Sequence, residues 1–281
     1  MTSKVWFITG TSKGFGRIWA EAALARGDRV VATARDATTL QPLVARYGDN
    51  VLPLPLDVDS KPAVEAAVAE AIARFGRIDV AVNNAGYGQF GTIEEVTEGE
   101  ARAQMETNFF GALWVTQAVL PQMRAQGSGH IIQVSSIGGV NAFPAIGLYH
   151  ASKWALEGFS QALAQEVAGF GIKVTIVEPA GYATDWSGPS AKRSAPLAAY
   201  DEVRAARAAA RAAASPGDPD ASGPAILKVV DDADPPLRIF FGTVGLPMTK
   251  AEYARRIDTW ERWNDVSVEA QGDWAAKQKA G

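Results

Sequence analysis

An apolar stretch, Lys4–Thr9, runs directly into Gly10-Thr11-Ser12-Lys13-Gly14-Phe15-Gly16, and a segment of helical character, Arg17–Arg26, follows. Each glycine has a separate use in such a place. Gly10 permits a tight turn, Gly14 lets backbone approach a pyrophosphate, and Gly16 lets helix and strand pack closely. The free N–H groups at the helix start then form an anion site. Three glycines alone distinguish little from an ordinary glycine-rich loop. The strand–turn–helix context turns them into a dinucleotide-binding signal, with Ser12, Lys13 and Phe15 as further contacts.

The pattern continues for about 180 residues. Arg29–Ala34, Val51–Leu56, Ile78–Asn83, His130–Ser135 and Lys173–Glu178 read as further strands. Pro62–Phe75, Glu100–Gln126 and Tyr149–Phe170 read as helices between them, Gly27 ends the first helix, and Pro121 should bend or end part of the third. This alternation predicts an α/β fold, a doubly wound parallel sheet of Rossmann-like type covered by helices on both faces. Ligands of such sheets bind at the carboxyl ends of the strands. Beyond Pro179 the pattern changes. Ser187–Ser194 is polar, Ala198–Ala214 is alanine with arginines, and Ser215–Pro224 reads as a loop. Ala225–Asp231 reads as a helix and Leu237–Gly242 as a last strand. Thr249-Lys-Ala-Glu252 has the form of a capping box, with Tyr253, Ile257 and Trp260 on one face of the helix it would open.

Composition excludes several classes. Hydrophobic residues at 47% and charged residues at 21% can bury a core, so the chain is not disordered. A net charge of −4 argues against a nucleic-acid partner. The absence of cysteine removes disulfides, thiol nucleophiles and thiolate metal sites, and two histidines are too few for a His-rich zinc centre. Val5–Ile8 is too short for a secretory signal and no run is long enough to span a bilayer. A cytoplasmic protein without a metal or a membrane partner is the expectation.

Tyr149 and Lys153 stand four apart on a helix and share a face. A free tyrosine, with a pKa of about 10, is a poor base at neutral pH. A cation about 4 Å away at an effective dielectric of 20 contributes roughly 4 kcal/mol, or about three pK units before desolvation. Lys153 is therefore expected to bring Tyr149 into a useful range for exchanging a proton with a carbonyl or alcohol oxygen, with Ser136 hydrogen-bonding the same oxygen. Ser135 should face elsewhere, because adjacent strand residues point to opposite sides. His150 lies about 100° around the helix from Tyr149 and reads as surface or packing. His130 reads as exposed.

The spacing Gly10-x-x-x-Gly14-x-Gly16, Asn83-Asn84-Ala85-Gly86 after the fourth strand, Asn108, Ser136, Tyr149-His-Ala-Ser-Lys153 and Pro179-Ala180-Gly181 through Thr184 resemble the short-chain dehydrogenase/reductase family. Ala180 stands where glycine is usual. The resemblance is strong over residues 1–186 and thin afterwards. It implies an oxidoreductase moving a hydride between a nicotinamide dinucleotide and a carbonyl/alcohol pair, with Asn108, Ser136, Tyr149 and Lys153 catalytic. It also implies that Lys153 and Tyr149 hold the nicotinamide ribose, and that Asn84, Ala85, Gly86, Pro179, Gly181 and Thr184 line the cofactor site. Asp57 matches the acid that contacts adenine, and Val58 would pack on that ring. The family aligns Ala34 with the acid that grips the NAD ribose, and the neighbouring Arg35 and Lys13 suit a 2′-phosphate, so NADP is expected over NAD. Asp36 is read as a loop residue or ion-pair partner.

A single domain over 1–281 is expected, with a substrate lid over 182–224. Val140, Phe143, Tyr182 and Trp186 would give that site an apolar wall for a hydrophobic carbonyl or alcohol. Arg204, Arg207 and Arg211 form a basic helical stripe, read first as a solvated face and second as a dock for an anionic carrier such as a coenzyme A or carrier-protein thioester. The small-residue face Ala151, Ala155, Gly158 and Ala162 allows close approach, to the sheet or to a partner subunit; the family implies a homodimer or homotetramer. Trp260, Trp263 and Trp274 are read as sealing a core edge or a subunit contact. Two rivals are a non-catalytic dinucleotide sensor, whose mark would be a broken Ser/Tyr/Lys set, and an epimerase or dehydratase that retains the cofactor.

Overall fold

The computed structural model describes residues 3–274 apart from Pro189 and Ala213. Seven parallel strands form one sheet in the order β3-β2-β1-β4-β6-β7-β9. These strands are β1 (Val5–Ile8), β2 (Arg29–Ala34), β3 (Val51–Pro55), β4 (Val80–Asn83), β6 (Gly129–Val134), β7 (Ile172–Pro179) and β9 (Arg238–Phe241). The helices between them are α1 (Gly14–Ala25), α2 (Gln41–Tyr47), α3 (Lys61–Phe75), α4 (Glu98–Met105), α5 (Gly111–Gln126), α6 (Gly147–Val167) and α8 (Ser222–Asp231).

Strand alternation divides the core into two halves. Val5, Phe7, Val31, Ala81 and Ile131 face α3, α5 and α6 through Val64, Val115, Met123 and Leu163. Trp6, Ile8, Val30, Ala32, Val82 and Ile132 face α1, α2 and α8 through Trp19, Leu24, Leu43 and Ile226. Each strand is apolar on both sides because both faces are covered. The strand order reverses between β1 and β4, and the crevice above their carboxyl ends is where such a sheet receives a ligand.

The long helical stretch before β6 is broken by a π-helical turn over Glu106–Phe110, whereas α5 runs through Pro121. α8 begins at Ser222 inside the expected loop, because Ser222 bonds both the Pro219 carbonyl and the Trp19 indole. α9 (Gly245–Arg262) starts before Thr249, so Thr249 caps nothing and instead accepts a hydrogen bond from Asn141. Trp260, Trp263 and Trp274 are more than 60% exposed, so they seal no core edge. His130 is buried rather than exposed. Its ring bonds Thr175 at 2.9 Å, and burial lowers its pKa to about 3.

The segment after β7 is tied back to the rest of the chain by short pairings. β5 (Gln89–Phe90) pairs in parallel with β8 (Lys192–Arg193), and Tyr182 bridges to Gly217. α7 (Asp201–Ala212) has no fully buried residue.

Under the carboxyl end of β7 lies a cluster of buried acids. Glu157 and Glu178 are both nearly inaccessible, with Arg238 at 2.9 Å and 3.6 Å from their oxygens. Burial first, then the charge on Glu157, raises the Glu178 pKa to about 8, and Arg238 offsets only part of this. Folded Glu178 therefore keeps a proton that the unfolded chain loses near 4.5, so its contribution to stability falls as pH rises from about 4.5 to 8. Glu178→Gln imitates the neutral carboxyl. Urea unfolding across pH 5–9 should show the variant gaining on the wild type by a few kcal/mol toward pH 9. A pH-independent difference would remove this account of the cluster.

Candidate active site

The glycine turn is held from beneath. The Thr9 hydroxyl accepts the N–H groups of Asn84 and Ala85, each at 3.0 Å, and Asn84 Nδ2 donates to the Thr9 and Gly10 carbonyls at 2.9 and 3.0 Å. Gly10 and Gly14 take φ of +69° and +60°. A Cβ on Gly16 would stand 2.5 Å from Asn84 Nδ2, which is the close packing expected there. A Cβ on Gly14 would meet nothing within 4 Å among the described residues, so open space lies over that backbone. Lys13 stands at the start of α1 without a side-chain cap, leaving the first N–H groups free for an anion. This cradle fits a dinucleotide pyrophosphate. Ser12 is exposed at its rim, and Phe15 instead packs against Trp19 and Tyr182.

The adenosine end shows which charges are engaged. Asp36 accepts the Thr38 N–H and hydroxyl at 2.9 and 2.6 Å, and these bonds hold its carboxyl below the usual range. Asp36 thus caps its own turn rather than forming an ion pair. Arg35, exposed at the end of β2, makes no hydrogen bond or ion pair with the described residues. Lys13 meets Asp185 of the lid at 3.4 Å, with both side chains more than half exposed. Asp57 accepts the Asp59 N–H in the turn after β3. The Val58 side chain is buried and lies against Gly111, where a Cβ would come within 2.7 Å of it.

Tyr149, Lys153, Ser136 and Asn108 converge beside the ends of β4 and β6. Tyr149 and Lys153 lie on one face of α6, and both are buried. Lys153 donates to the Val134 carbonyl at 2.7 Å and stands 5.8 Å from the centroid of the Tyr149 ring. Ser136 is half-buried and its hydroxyl accepts the Gly138 N–H at 3.0 Å. Asn108 sits in the π-helical turn. Its carbonyl accepts the Tyr87 N–H, and its amide donates to the Tyr87 carbonyl and the Ser152 hydroxyl, all within 3.1 Å. Ser152 donates in turn to the Tyr149 carbonyl at 2.7 Å. A Cβ on Gly86 would lie 3.1 Å from the Asn108 carbonyl oxygen and 3.7 Å from Lys153 Nζ, so that glycine keeps the space between them open. Ser152 and the carbonyls of Tyr87 and Val134 were not visible as site groups in the sequence. Only the position of Ser152 inside Tyr149–Lys153 hinted at a role.

One electrostatic expectation is reversed. Burial raises the Tyr149 phenol to about 12, and the opposing effect of Ser136 is smaller. Burial also lowers Lys153 to about 8, with Glu157 working against that shift. In the enclosed site desolvation is the leading effect on both groups. Tyr149 is therefore a neutral phenol through the physiological range, suited to giving a proton.

The ring of Trp186 lies 4.9 Å from that of Tyr149 and 5.5 Å from Phe90, so the lid covers the phenol with an apolar face. Thr184 caps the turn that carries Trp186. Pro179 ends β7, and the Gly181 carbonyl accepts the Gly217 N–H. Val140 is buried after the Ser136 turn, and Phe143 packs edge-on against His150. Tyr182 is not on this wall. The Gly181–Gly217 bonds turn its ring onto Phe15, 4.9 Å away, in the α1 side of the core. His150 is packing, as expected: burial and the charge on Arg207 lower its pKa to about 4. Ser135 is buried beside Gly139 and faces away from the phenol.

Comparison with known proteins agrees with this geometry. The model of the short chain dehydrogenase family matches residues 4–195. Oxidoreductase BOA17 of Botryotinia fuckeliana is 42% identical over 272 residues, covering 95% of this chain and 98% of its own. The crystal structure of a short-chain dehydrogenase from Streptomyces avermitilis superposes with a TM-score of 0.90 at 41% identity, covering 96% of this chain and 98% of its own. A short-chain dehydrogenase from Burkholderia cenocepacia in complex with NADP superposes with a TM-score of 0.74 at 25% identity, covering 92% and 97%. No helix among the described residues is long and apolar enough to cross a membrane. With its glycine cradle and its Asn, Ser, Tyr and Lys set in place, the chain belongs to the short-chain dehydrogenase/reductase family of oxidoreductases.

Proposed function

We propose that the protein is an NADPH-dependent reductase of hydrophobic aldehydes or ketones. The observation that carries this reading is the buried Tyr149 phenol beside Ser136 and Lys153, under the apolar cover of Trp186. The intact Ser136, Tyr149 and Lys153 set speaks against a non-catalytic sensor. The glycine cradle, Asn84, Ala85, Gly86 and the segment Pro179 to Thr184 would hold the dinucleotide, which supplies the hydride when bound. Ser136 orients the carbonyl oxygen, and Tyr149 gives it a proton. Lys153, charged at neutral pH, favours the phenolate left behind. Asn108 and Ser152 hold the α6 backbone at Tyr149 and steady the phenol. The preference for NADP rests on Arg35, exposed and without a salt bridge among the described residues, and on Asp36, whose carboxylate is already engaged. The relative from Burkholderia cenocepacia that holds NADP supports the same choice.

We also read the chain as a cytoplasmic homo-oligomer, a dimer or a pair of dimers. Ala151, Gly158 and Ala162 on α6 point outward, and a Cβ on Gly158 would meet none of the described residues within 4 Å. The small face is therefore free of the sheet, which favours the subunit alternative. Light scattering at micromolar concentration should return a multiple of the chain mass, and a monomer mass would remove this assignment.

Two variants test the chemistry. Tyr149→Phe keeps the ring and loses the transferable proton, so turnover of a carbonyl panel should fall by about 10²–10⁴ with NADPH affinity retained. Near-normal turnover would mean that another group supplies the proton. Arg35→Ala should weaken NADPH binding about tenfold or more and leave NADH little changed, since only NADPH offers a phosphate to pair. Equal losses for both cofactors would overturn the cofactor assignment.

A further inference from the structure

The three arginines on one face of α7 do not share one fate. Arg204 is consumed by the lid itself: it pairs with Glu95 and Asp201 and donates to the Leu197 carbonyl. Glu95 is buried and its pKa is held at about 2, led by the N–H groups of Leu197 and Thr92. Arg204 is thus a structural tie between α7 and the segment before α4. Arg207 and Arg211, one and two turns further along, have no carboxylate partner among the described residues. The Arg207 guanidinium lies half-buried, 5.0 Å over the Phe143 ring. It makes no hydrogen bond with a described residue, and Arg211 adds a second positive charge beside it. Among the described residues, Arg211 donates to the neutral Ser187 hydroxyl alone.

Each cation connects to the covered phenol through a short chain of contacts. Phe143 packs on His150 at 5.4 Å, and His150 lies 5.8 Å from Tyr149. Ser187 directly follows Trp186, whose ring covers Tyr149. Two lid acids are already paired, Asp201 with Arg204 and Asp185 with Lys13. A half-buried guanidinium beside a like charge, with its donors unfilled, is unfavourable unless an anion joins it. A guanidinium stacked on an aromatic ring keeps its N–H edge free for two-point binding of a carboxylate or phosphate. Two arginines without a carboxylate partner, beside an apolar wall, suit a small amphiphile better than the acidic surface of a carrier protein.

We propose that Arg207 and Arg211 bind an oxyanion, carboxylate or phosphate, at the end of the substrate remote from its carbonyl, so that the enzyme takes apolar carbonyl compounds with an anionic terminus. This rests on the reductase reading above and names its substrate class.

The test compares 9-oxodecanoate, its methyl ester and 9-oxodecyl phosphate as substrates of the full chain with NADPH. It uses the wild type, Arg207→Gln, Arg211→Gln and the double variant. The wild type should prefer the charged ketones over the ester by about tenfold or more in kcat/KM. The double variant should lose that ratio mainly through KM. The carboxylate and phosphate arms show which anion the pair favours. Calorimetric binding of decanoate and decanamide gives a readout without turnover, and the decanoate preference should fall by a similar factor in the double variant. An ester used as well as the acid, or a decanoate preference untouched by both substitutions, would overturn the proposal. Selective decanoate binding lost in the double variant, with no ketone reduced by the wild type, would support the anion site and count against the reductase reading alone.

Discussion

The side chain of Asn84 is the tie on which the rest of the site depends. It leaves the end of β4 and donates to the two carbonyls that end β1 and begin the glycine turn, while the Thr9 hydroxyl returns two bonds to the β4 segment. The turn cannot drift from β4, and Gly16 lets α1 start in contact with both. β4 in turn leads to Gly86 and Tyr87, on whose backbone Asn108 rests. The dinucleotide cradle and the proton-handling groups are therefore connected by a continuous set of backbone bonds across the point where the strand order reverses. Asn83, the preceding residue, is spent differently: it bonds Gln133, Thr116 and the Ala112 carbonyl and locks β4 to β6 and α5.

Burial decides the chemistry of the tyrosine more than its charged neighbour does. A lysine one helical turn away argues for an acidic phenol when both groups are thought of as partly solvated. Enclosed by Trp186 and the sheet, both groups instead move toward their neutral forms. Each shift has the same origin, since a low-dielectric surround penalises phenolate and ammonium alike. Glu157, one turn beyond Lys153 on α6, works to keep the ammonium charged, and it does so while sharing Arg238 with Glu178.

The legible part of the chain was the part whose structure is set by local periodicity. Apolar strands buried on both faces, helices between them and glycines at φ-demanding turns announce themselves within ten residues of sequence, and β2 was read to the residue. The tetrad was legible because its spacing matches a known family. What escaped depends on partners far away in the chain. His130 looked exposed after a Gly-Ser-Gly loop, and only the pairing of β6 with β7 brings Thr175 to its ring. The two-residue strands β5 and β8 carry no pattern of their own and exist because they meet. Tyr182 and Trp186 are four residues apart on one loop, yet one enters the core on Phe15 and the other covers Tyr149. The bonds between Gly181, Ala183 and Gly217 make that difference, and they join segments more than thirty residues apart.

The lid is anchored unevenly, and this bears on access to the phenol. At its edges it is fixed by the β5–β8 ladder, by Arg204 on buried Glu95 and by the Gly217 bridge. Between these anchors the Asp185–Ser187 turn is held by ring contacts of Trp186, by the Lys13–Asp185 pair and by bonds from Arg193 and Arg211 to Ser187. An exposed pair such as Lys13–Asp185 contributes about 0–1 kcal/mol, and an anion bound by Lys13 competes with Asp185 for the same ammonium. The Asp185–Ser187 turn is therefore the most lightly held part of the lid.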